Sequence, residues 1–328
     1  MKKRILSGMR PTGKLHLGHL VGAIDNWIKL QDEYDCYYMI ADWHALMSEY
    51  ASPENIKENI FECAVDWLSC GLDPERSSIF IQSDVSQHLD LYMALSCLTP
   101  LSWLERCPTY KEQLREVTTR DLTTYAFLGY PVLQAADILL YKANVVPVGV
   151  DQSSHLELTR EIVRRFHHIY KKEIFPEPET LLTHAPKLLG LDSRKMSKSY
   201  DNFIALSETD EDIVSKVKQM ITDPARIQKT DPGHPDICNV FSYYKVFASK
   251  EVHELEEKCK AGEIGCMQCK KHLAEIIIER LRPIRQKREK LIKDKKFVMD
   301  VLGKGKQKAQ DTAKQTMKEV RELIGFLG

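Results

Sequence analysis

The stretch Arg4-Ile-Leu-Ser-Gly-Met-Arg-Pro-Thr-Gly-Lys-Leu-His-Leu-Gly-His19 decides how this chain begins to fold. Arg4 to Met9 is a short apolar run of strand length, and Pro11 to Gly13 predict a turn. From Leu17 to Gln31, apolar residues recur at helical spacing. A strand that leads into a Gly- and His-rich first helical turn brings backbone N–H groups and imidazoles to one place. The pattern indicates a phosphate site formed by His16, Gly18 and His19, and the alternative is two unrelated histidines on one helix face.

Strand-like and helix-like segments alternate after this stretch. The predicted strands are Cys36–Ala41, Ser78–Gln82 and Val145–Val148, and the predicted helices are Glu54–Cys70, Leu89–Leu98, Tyr130–Lys142 and Ser153–Tyr170. This alternation predicts a parallel sheet with crossover helices, in which ligands bind beyond the carboxyl ends of the strands. The first two of those ends carry Gly8 to Arg10 and Asp42 to His44.

The remainder of the chain contains only helical patterns. From Glu208 on, the predicted helices are Glu211–Met220, Val240–Ala248, Glu251–Lys260, Lys270–Leu291 and Gln307–Leu323. We therefore predict an α/β fold with a parallel-sheet domain over residues 1–205, followed by an all-helical C-terminal domain over residues 206–328. Residues 100–145 interrupt the strand–helix alternation and are interpreted as an inserted segment.

The composition is that of an ordinary globular chain, with 29% charged and 43% apolar residues among 328. No apolar run approaches the roughly 20 residues that span a bilayer, and the N-terminus lacks a signal-peptide pattern. We therefore expect no membrane association and a cytoplasmic location. The nine cysteines are then expected to be core thiols or metal ligands rather than disulfides.

Charge is unevenly distributed although the net charge is zero. From Arg280 to the end there are 15 Lys or Arg and 6 Asp or Glu residues. Such a basic segment suits contact with a polyanion. The alternative is a set of solvated helix faces.

A second signature is Lys195-Met196-Ser197-Lys198-Ser199, which offers two ammonium groups and two hydroxyls on a polar loop. Each signature is weak by itself, but in this order the two resemble the paired signatures of class I aminoacyl-tRNA synthetases. Within that class the chain is similar to the tryptophanyl-tRNA synthetases over nearly its whole length. The resemblance is carried by Ser7–Gly13, Ala41–Ala45, Tyr130–Leu139, Val146–Gln152, His155–Arg160 and Leu281–Ile284.

The resemblance implies a Rossmann-type catalytic domain and a helical anticodon-binding domain. Its substrates would be L-tryptophan, ATP with Mg2+ held by the phosphates, and tRNA(Trp). The substrate's own carboxylate attacks the α-phosphorus, so catalysis rests on positioning and on stabilising phosphate charge. Lys195, Lys198 and Lys111 would be the catalytic residues. The residues expected to bind ATP are Arg10, His16, Gly18, His19, Gly149, Asp151, Lys195, Met196, Ser197, Lys198 and Ser199.

By the same resemblance, the Asp137 carboxylate accepts the indole N–H of tryptophan. A buried acceptor of this kind rejects amino acids that lack the donor better than pocket size does. The alternative for Asp137 is a salt-bridged or capping aspartate. Tyr130, Gln152 and His44 would hold the ammonium and carboxylate groups, Leu6, Val146 and Val148 would line the ring, and Gln134 would complete the tryptophan site.

The chain departs from the family pattern at two places. Val150 replaces the glutamate of the usual Gly-Glu-Asp-Gln, so a carboxylate role at that position is in doubt. His16 and His19 follow the class consensus rather than the Thr/Asn version of some bacterial relatives.

Four cysteines, Cys238, Cys259, Cys266 and Cys269, are concentrated in one part of the helical region. Sulfur ligation suits zinc or an iron–sulfur cluster. A subset of tryptophanyl-tRNA synthetases resembles this pattern and carries a [4Fe–4S] cluster, although the first gap there is usually longer, which puts the role of Cys238 in doubt. We predict that cluster, with zinc or no metal as alternatives. The other cysteines, Cys36, Cys63, Cys70, Cys97 and Cys107, are interpreted as core.

Three competing functions are weighed against this prediction. A tyrosyl-tRNA synthetase would share fold and reaction. A small-molecule nucleotidyltransferase would share the His-x-Gly-His turn but explains poorly the lysine signature and basic tail. A regulatory nucleic-acid binder is disfavoured by the intact Lys195, Lys198 and Asp137. The resemblance further implies a homodimer.

Overall fold

A computed structural model describes residues 2–116, 121–149, 153–182, 188–196, 200–228 and 230–327. Its sheet has five parallel strands, β1 (Arg4–Met9), β2 (Asp35–Ile40), β3 (Ser77–Ile81), β4 (Val145–Val148) and β5 (Glu179–Leu182). Their order across the sheet is β3-β2-β1-β4-β5. The predicted Rossmann-type parallel sheet is confirmed. The sequence patterns missed β5, which is only four residues long and incompletely buried.

The register brings two strand ends together at the middle of the sheet. β1 pairs with β2 from Arg4 opposite Asp35 to Met9 opposite Ile40, and on its other side with β4 at Ile5 opposite Val145. The strand order reverses between β1 and β4. In open parallel sheets such a switch point opens a crevice beyond the carboxyl ends of the two strands, where ligands bind.

The helices account for most of the remaining described chain. They are α1 (Leu17–His19), α2 (Asp25–Leu30), α3 (Asp42–Glu49), α4 (Ile56–Cys70), α5 (Gln87–Ser96), α6 (Leu101–Glu105), α7 (Pro108–Glu116), α8 (Tyr125–Leu140), α9 (Ser153–Tyr170), α10 (Asp210–Gln219), α11 (Asn239–Phe247), α12 (Val252–Lys260), α13 (Cys266–Lys293) and α14 (Lys295–Leu323). A π-helical segment, Leu20–Ile24, and short 3-10 helices at Pro53–Asn55, Gln82–Asp84 and Pro235–Ile237 complete them.

Two helix boundaries show how local chemistry acts. α4 ends where Gly71 adopts a φ of 115°, which glycine tolerates without a Cβ clash. α8 begins five residues before the predicted Tyr130, since the Thr124 side chain accepts the N–H of Phe127 and caps the helix there. The predicted beginning of this helix at Tyr130 is therefore wrong. Pro131 lies inside α8, where a proline costs one helical hydrogen bond.

The chain packs into two compact units. The first comprises Met1–Gly13, Asn26–His184 and Asp294–Gly328, and the second comprises Lys14–Asp25 and Ala185–Lys293. The first contains the sheet and its own apolar core, in which Tyr37, Phe80 and Leu139 pack with residues of α9 and α14. α14 therefore packs with the sheet. The division into a catalytic domain and an anticodon-binding domain at residue 205 stays a prediction.

Among the described residues, no helix is both long enough and apolar enough to cross a membrane.

Candidate active site

Asp137 is a buried carboxylate at the centre of a polar cluster in the first unit. It lies on α8 and is 2% exposed. Oδ1 accepts hydrogen bonds from Gln82 Nε2 at 2.8 Å and from His88 Nδ1 at 2.6 Å, and Oδ2 accepts one from His44 Nε2 at 2.8 Å. A carboxylate taken out of water needs such donors to remain stable.

These donors keep Asp137 ionised. Burial raises the pKa of the carboxyl, but the hydrogen bonds from His44 and His88, together with the electrostatic effect of the two imidazoles, outweigh it, so the net pKa is lowered. The result is a charged acceptor inside an apolar region, with acceptor capacity left on Oδ2. It can receive one further N–H donor from a ligand.

His44 lies in the first turn of α3, directly beyond the carboxyl end of β2. Asp42 begins this helix, and its Oδ1 accepts the N–H groups of Trp43 at 3.1 Å and Ser83 at 2.9 Å. Burial raises the pKa of Asp42 above its usual value in spite of these bonds. The structure places His44 on Asp137, whereas the sequence resemblance placed it on the ammonium and carboxylate of the substrate. The substrate role of His44 stays a prediction.

Tyr130 lies on α8 about two helical turns before Asp137 and is 7% exposed. Its hydroxyl lies 2.8 Å from His155 Nε2, and the ring packs edge-on against the His155 imidazole. Burial raises the pKa of the Tyr130 phenol, although the charge of Arg10 lowers it in part. Tyr130 is thus a neutral hydrogen-bonding group held by His155.

The apolar residues predicted to line the tryptophan ring lie in, or pack against, the apolar core of the first unit. Leu6 on β1 and Val146 on β4 are 4% and 5% exposed and belong to the same apolar cluster as Ala136. Val148, at the end of β4, packs against that cluster while partly buried. Gln134 is half-buried on α8. Leu6, Val146 and Val148 lie on the two strands that flank the switch point.

The first signature forms a compact turn in the second unit. His16 caps α1, because its Nδ1 accepts the N–H of Gly18 at 3.1 Å, while the His16 N–H donates to His19 Nδ1 at 3.2 Å. The two imidazoles lie 3.8 Å apart between centroids. A Cβ built on Gly18 would lie 3.0 Å from both the His16 ring and the Met196 sulfur, so a larger residue at this position would be crowded.

The second signature meets the first within this unit. His16 forms an antiparallel bridge with Ala205, and Leu17 donates its N–H to the Ile204 carbonyl at 3.1 Å. Lys195 bridges Leu189, and its carbonyl accepts from Asn202 Nδ2 at 3.1 Å. Since the Met196 sulfur also lies beside Gly18, the two motifs lie side by side although they are distant in the sequence.

The remaining predicted ATP and catalytic residues are distributed as follows. Arg10 and Lys111 are exposed, Arg10 just beyond β1 and Lys111 on α7, and Gly149 directly follows β4. Arg10 and Gly149 thus lie at the two strand ends of the switch point. Asp151, Gln152, Ser197, Lys198 and Ser199 lie outside the described residues, as does Val150.

None of the nine cysteines, all of which the structure describes, forms a disulfide. Cys36, Cys63 and Cys107 are buried and Cys70 is half-buried, as predicted for core residues. Cys97 is exposed, so its assignment to the core is wrong: it is the residue that ends α5, beyond the buried face of that helix.

The four clustered cysteines converge in the second unit. Burial raises the pKa values of Cys238, Cys259 and Cys269, the last to about 12, and each of the three also feels the charges of neighbouring cysteines. Arg226 Nη1 lies 3.8 Å from Cys259 Sγ and 3.9 Å from Cys266 Sγ. Over the described part of the chain, however, no group of three or more His, Cys, Asp or Glu side chains is arranged to hold a metal ion. The predicted metal centre is not confirmed.

Sequence reasoning missed Gln82, His88 and His155. Gln82 directly follows β3, so the rule that ligands bind beyond strand ends could have identified it. His88 and His155 are single histidines on helices, and nothing in the local pattern separates them from ordinary core residues.

The chain is similar to known proteins over its whole length. Residues 1–282 match the family model described as tRNA synthetases class I (W and Y). The chain is 49% identical to the tryptophan–tRNA ligase of Thermotoga maritima over 99% of both sequences, and 43% identical to that of Aquifex aeolicus over 98% of this chain and 100% of the relative. The tryptophanyl-tRNA synthetase of Campylobacter jejuni, solved with ADP and tryptophan, superposes with a TM-score of 0.88 at 32% identity, covering 98% of this chain and 100% of that one.

Proposed function

Since the chain belongs to the class I tRNA synthetases of the tryptophan and tyrosine group, we propose that it is a tryptophan–tRNA ligase. It activates L-tryptophan with ATP to tryptophanyl-adenylate and pyrophosphate, then transfers tryptophan to the 3'-terminal ribose of tRNA(Trp). The amino-acid carboxylate is the nucleophile and pyrophosphate the leaving group. The protein therefore contributes orientation and charge stabilisation rather than a covalent intermediate.

The single observation that carries the amino-acid choice is the buried, ionised Asp137. An indole N–H can donate to Oδ2, which already accepts from His44, whereas phenylalanine offers no ring donor. A buried acceptor left without its donor costs binding energy, so discrimination is strong. The apolar residues Leu6, Val146 and Val148 surround the ring.

The runner-up is a tyrosyl-tRNA synthetase, whose phenol could also donate to a carboxylate. Amino-acid-dependent exchange of radiolabelled pyrophosphate into ATP separates the two, because it reports activation without tRNA. We expect exchange with tryptophan and little with tyrosine. Exchange that is faster with tyrosine would overturn the proposal.

Substitution of Asp137 tests the specificity role directly. Asp137→Asn should raise the KM for tryptophan and reduce discrimination against tyrosine and phenylalanine. An Asp137→Asn variant that folds and shows wild-type selectivity would contradict the assignment.

ATP would lie with its triphosphate against His16, Gly18 and His19, and with its ribose against Gly149 and Asp151. Lys195 and Lys198 would stabilise pyrophosphate as it leaves, with Lys111 assisting from α7. The juxtaposition of the two signatures in the second unit supports this assignment. Mg2+ would be held chiefly by the phosphates, which suits its preference for oxygen ligands. Tyr130, Gln152 and His44 would hold the ammonium and carboxylate of tryptophan.

A homodimer forms part of the proposal. Met93 on α5, Leu101 on α6 and Tyr125 at the beginning of α8 are 62%, 60% and 73% exposed, and these helices pack against one another. Exposed apolar side chains on neighbouring helices are typical of a protein interface. Light scattering should give twice the chain mass of 37.8 kDa, and a monomer would remove the dimer. We also propose a cytoplasmic location, as the amino-acid composition predicts.

The four cysteines, Cys238, Cys259, Cys266 and Cys269, would be the ligands of a [4Fe–4S] cluster, with zinc as the alternative. Their mutual electrostatic interaction and the nearby Arg226 guanidinium, which would offset thiolate charge, support the proposal. Anaerobically purified protein should absorb broadly near about 400 nm and contain about 4 iron atoms per chain. Colourless protein with one zinc would replace the cluster by a zinc site, and metal-free protein that charges tRNA would refute both.

A further inference from the structure

His88 is a fully buried histidine that the proposed chemistry does not use. It lies on α5 with 0% of its surface exposed. Nδ1 lies 2.6 Å from Asp137 Oδ1, and Nε2 lies 2.7 Å from the hydroxyl oxygen of Tyr141. Both ring nitrogens are therefore engaged, one with the carboxylate and one with a phenol.

The two partners define which nitrogen carries the proton. An ionised carboxylate only accepts, so the bond to Asp137 requires the proton on Nδ1. Burial raises the pKa of the Tyr141 phenol well above its usual value, so the hydroxyl keeps its proton and can donate it to Nε2. In the neutral imidazole, Tyr141 thus selects the Nδ1–H tautomer of His88.

Tyr141 is itself held in one position. Its side chain is fully buried, and the ring stacks on Tyr37 with centroids 4.9 Å apart and contacts Phe80 at 5.4 Å. Tyr37 is anchored in turn, because its hydroxyl lies 3.0 Å from the Thr312 hydroxyl on α14. The donor to His88 therefore has a defined orientation.

The two carboxylate oxygens of Asp137 differ in the hydrogen bonds that they accept. Oδ1 accepts from both Gln82 and His88, which uses its two lone pairs, whereas among the described residues Oδ2 accepts only from His44. The carboxylate is thereby oriented with one remaining lone pair on Oδ2.

We propose that His88 is a positioning residue for tryptophan specificity: it orients the Asp137 carboxylate so that Oδ2 receives the indole N–H, and Tyr141 fixes the imidazole tautomer. The inference rests on the proposed role of Asp137 as the indole acceptor.

Two substitutions of His88 distinguish the roles of its two ring nitrogens. The amide nitrogen of asparagine can take the place of Nδ1 and that of glutamine the place of Nε2. His88→Asn therefore keeps a donor to Asp137, and His88→Gln removes it. Pyrophosphate exchange is measured with L-tryptophan and with the analogue in which sulfur replaces the indole N–H, which has the same shape and no donor.

We expect His88→Gln to lower kcat/KM for tryptophan on the order of 10- to 100-fold while the analogue changes little, so that their ratio falls. His88→Asn should keep most of the wild-type ratio. If His88 serves only to fill the core, tryptophan and the analogue lose activity together and the ratio stays constant, which would overturn the inference.

Asp137→Asn is the reference that separates this inference from the proposed function. If Asp137→Asn leaves the ratio unchanged, the indole role of Asp137 itself is refuted. If Asp137→Asn lowers the ratio and His88→Gln does not, the inference alone is refuted.

A second readout depends neither on enzyme activity nor on a substitution of His88. Nitrogen NMR of histidine-labelled protein should show His88 protonated at Nδ1 and unprotonated at Nε2, with loss of that preference in Tyr141→Phe. A wild-type His88 that carries a proton on Nε2 would overturn the role of Tyr141.

Discussion

Lys195 is anchored through its backbone. It bridges Leu189, and its carbonyl accepts from Asn202, which also donates to Asp192 Oδ1 at 2.7 Å. The backbone position of the signature lysine is therefore set by packed neighbours. A lysine held in this way can stabilise charge that develops on a departing phosphate at little reorganisation cost.

We predict that Lys195→Ala and Lys198→Ala each lower the turnover of pyrophosphate exchange on the order of 10²-fold, while tryptophan binding changes little. In the proposed mechanism the two lysines contact the leaving pyrophosphate rather than bound tryptophan. Stopped-flow exchange and equilibrium titration with tryptophan measure the two quantities. Lys218→Ala, an exposed cation on α10 of the same unit, should leave both unchanged. A loss confined to tryptophan affinity would contradict the prediction.

His167 provides a test of stability against pH. Its Nε2 accepts the N–H groups of Ile174 at 3.2 Å and Phe175 at 3.3 Å, and burial lowers its pKa below the usual 6.5. The unfolded chain then binds the proton more tightly than the folded one. The contribution of His167 to the free energy of unfolding is therefore fully present above pH 6.5 and decreases as the pH is lowered through that value.

We expect the free energy of unfolding to fall by about 1 kcal/mol as His167 becomes protonated, because the two N–H groups lose their acceptor. Urea unfolding at pH 7.5 and at pH 5 measures the difference. His167→Gln places an amide oxygen near the same two donors at either pH, so it should reduce the difference. An equal pH dependence in both proteins would assign the effect to other groups.

At the scale of elements, two glycines of α14 have opposite environments. A Cβ built on Gly305 would overlap the backbone carbonyl oxygen of Ile79 on β3, whereas a Cβ on Gly303 would meet no atom within 4 Å. β3 is an edge strand, and α14 can approach its backbone closely only where a side chain is missing.

We therefore predict opposite effects of the same substitution two residues apart. Gly303→Ala should stabilise the protein by roughly 0.5–1 kcal/mol, the helix-propensity gain of alanine over glycine. Gly305→Ala should destabilise it by about 1–3 kcal/mol, the usual cost of overpacking. Chemical denaturation of the two variants measures both, and a stabilised Gly305→Ala variant would show that α14 does not pack on β3 in this way.

At the scale of the whole molecule, the basic C-terminal segment divides into structural and exposed charges. On α13, Arg288 is 7% exposed, and Arg285 donates to the Glu208 carbonyl at 3.0 Å and pairs with Asp210. Arg282, Lys287 and Lys290 on the same helix are exposed. The exposed set is the candidate for contact with a polyanion.

We predict that Arg282→Gln, Lys287→Gln and Lys290→Gln, combined in one variant, weaken tRNA charging and flatten its dependence on salt, because fewer counterions are released on binding. Tryptophan-dependent pyrophosphate exchange should stay at the wild-type rate, since it does not involve tRNA. Arg285→Gln is the contrasting variant and should lower stability instead. If the triple variant reduced exchange and charging equally, the segment would be structural.

The amino-acid sequence alone determined the parts of this protein that are encoded locally. Strand β1 and helix α9 have the predicted bounds, and α4 ends at Gly71, because alternation, helical spacing and turn residues act over a few residues. The paired signatures and the stretch around Asp137 identified the reaction class for the same reason: each is a short run of adjacent residues.

Only the tertiary structure decided which distant residues meet. The strand order, the packing of α14 on β3, and the convergence of Gln82, His88 and His44 on Asp137 join segments that lie far apart in the chain. No local pattern encodes these contacts, since burial of apolar faces selects them among many possible pairings. A histidine such as His88 reads in the sequence like any other helix residue, and its partners exist only once α5 and α8 have packed together.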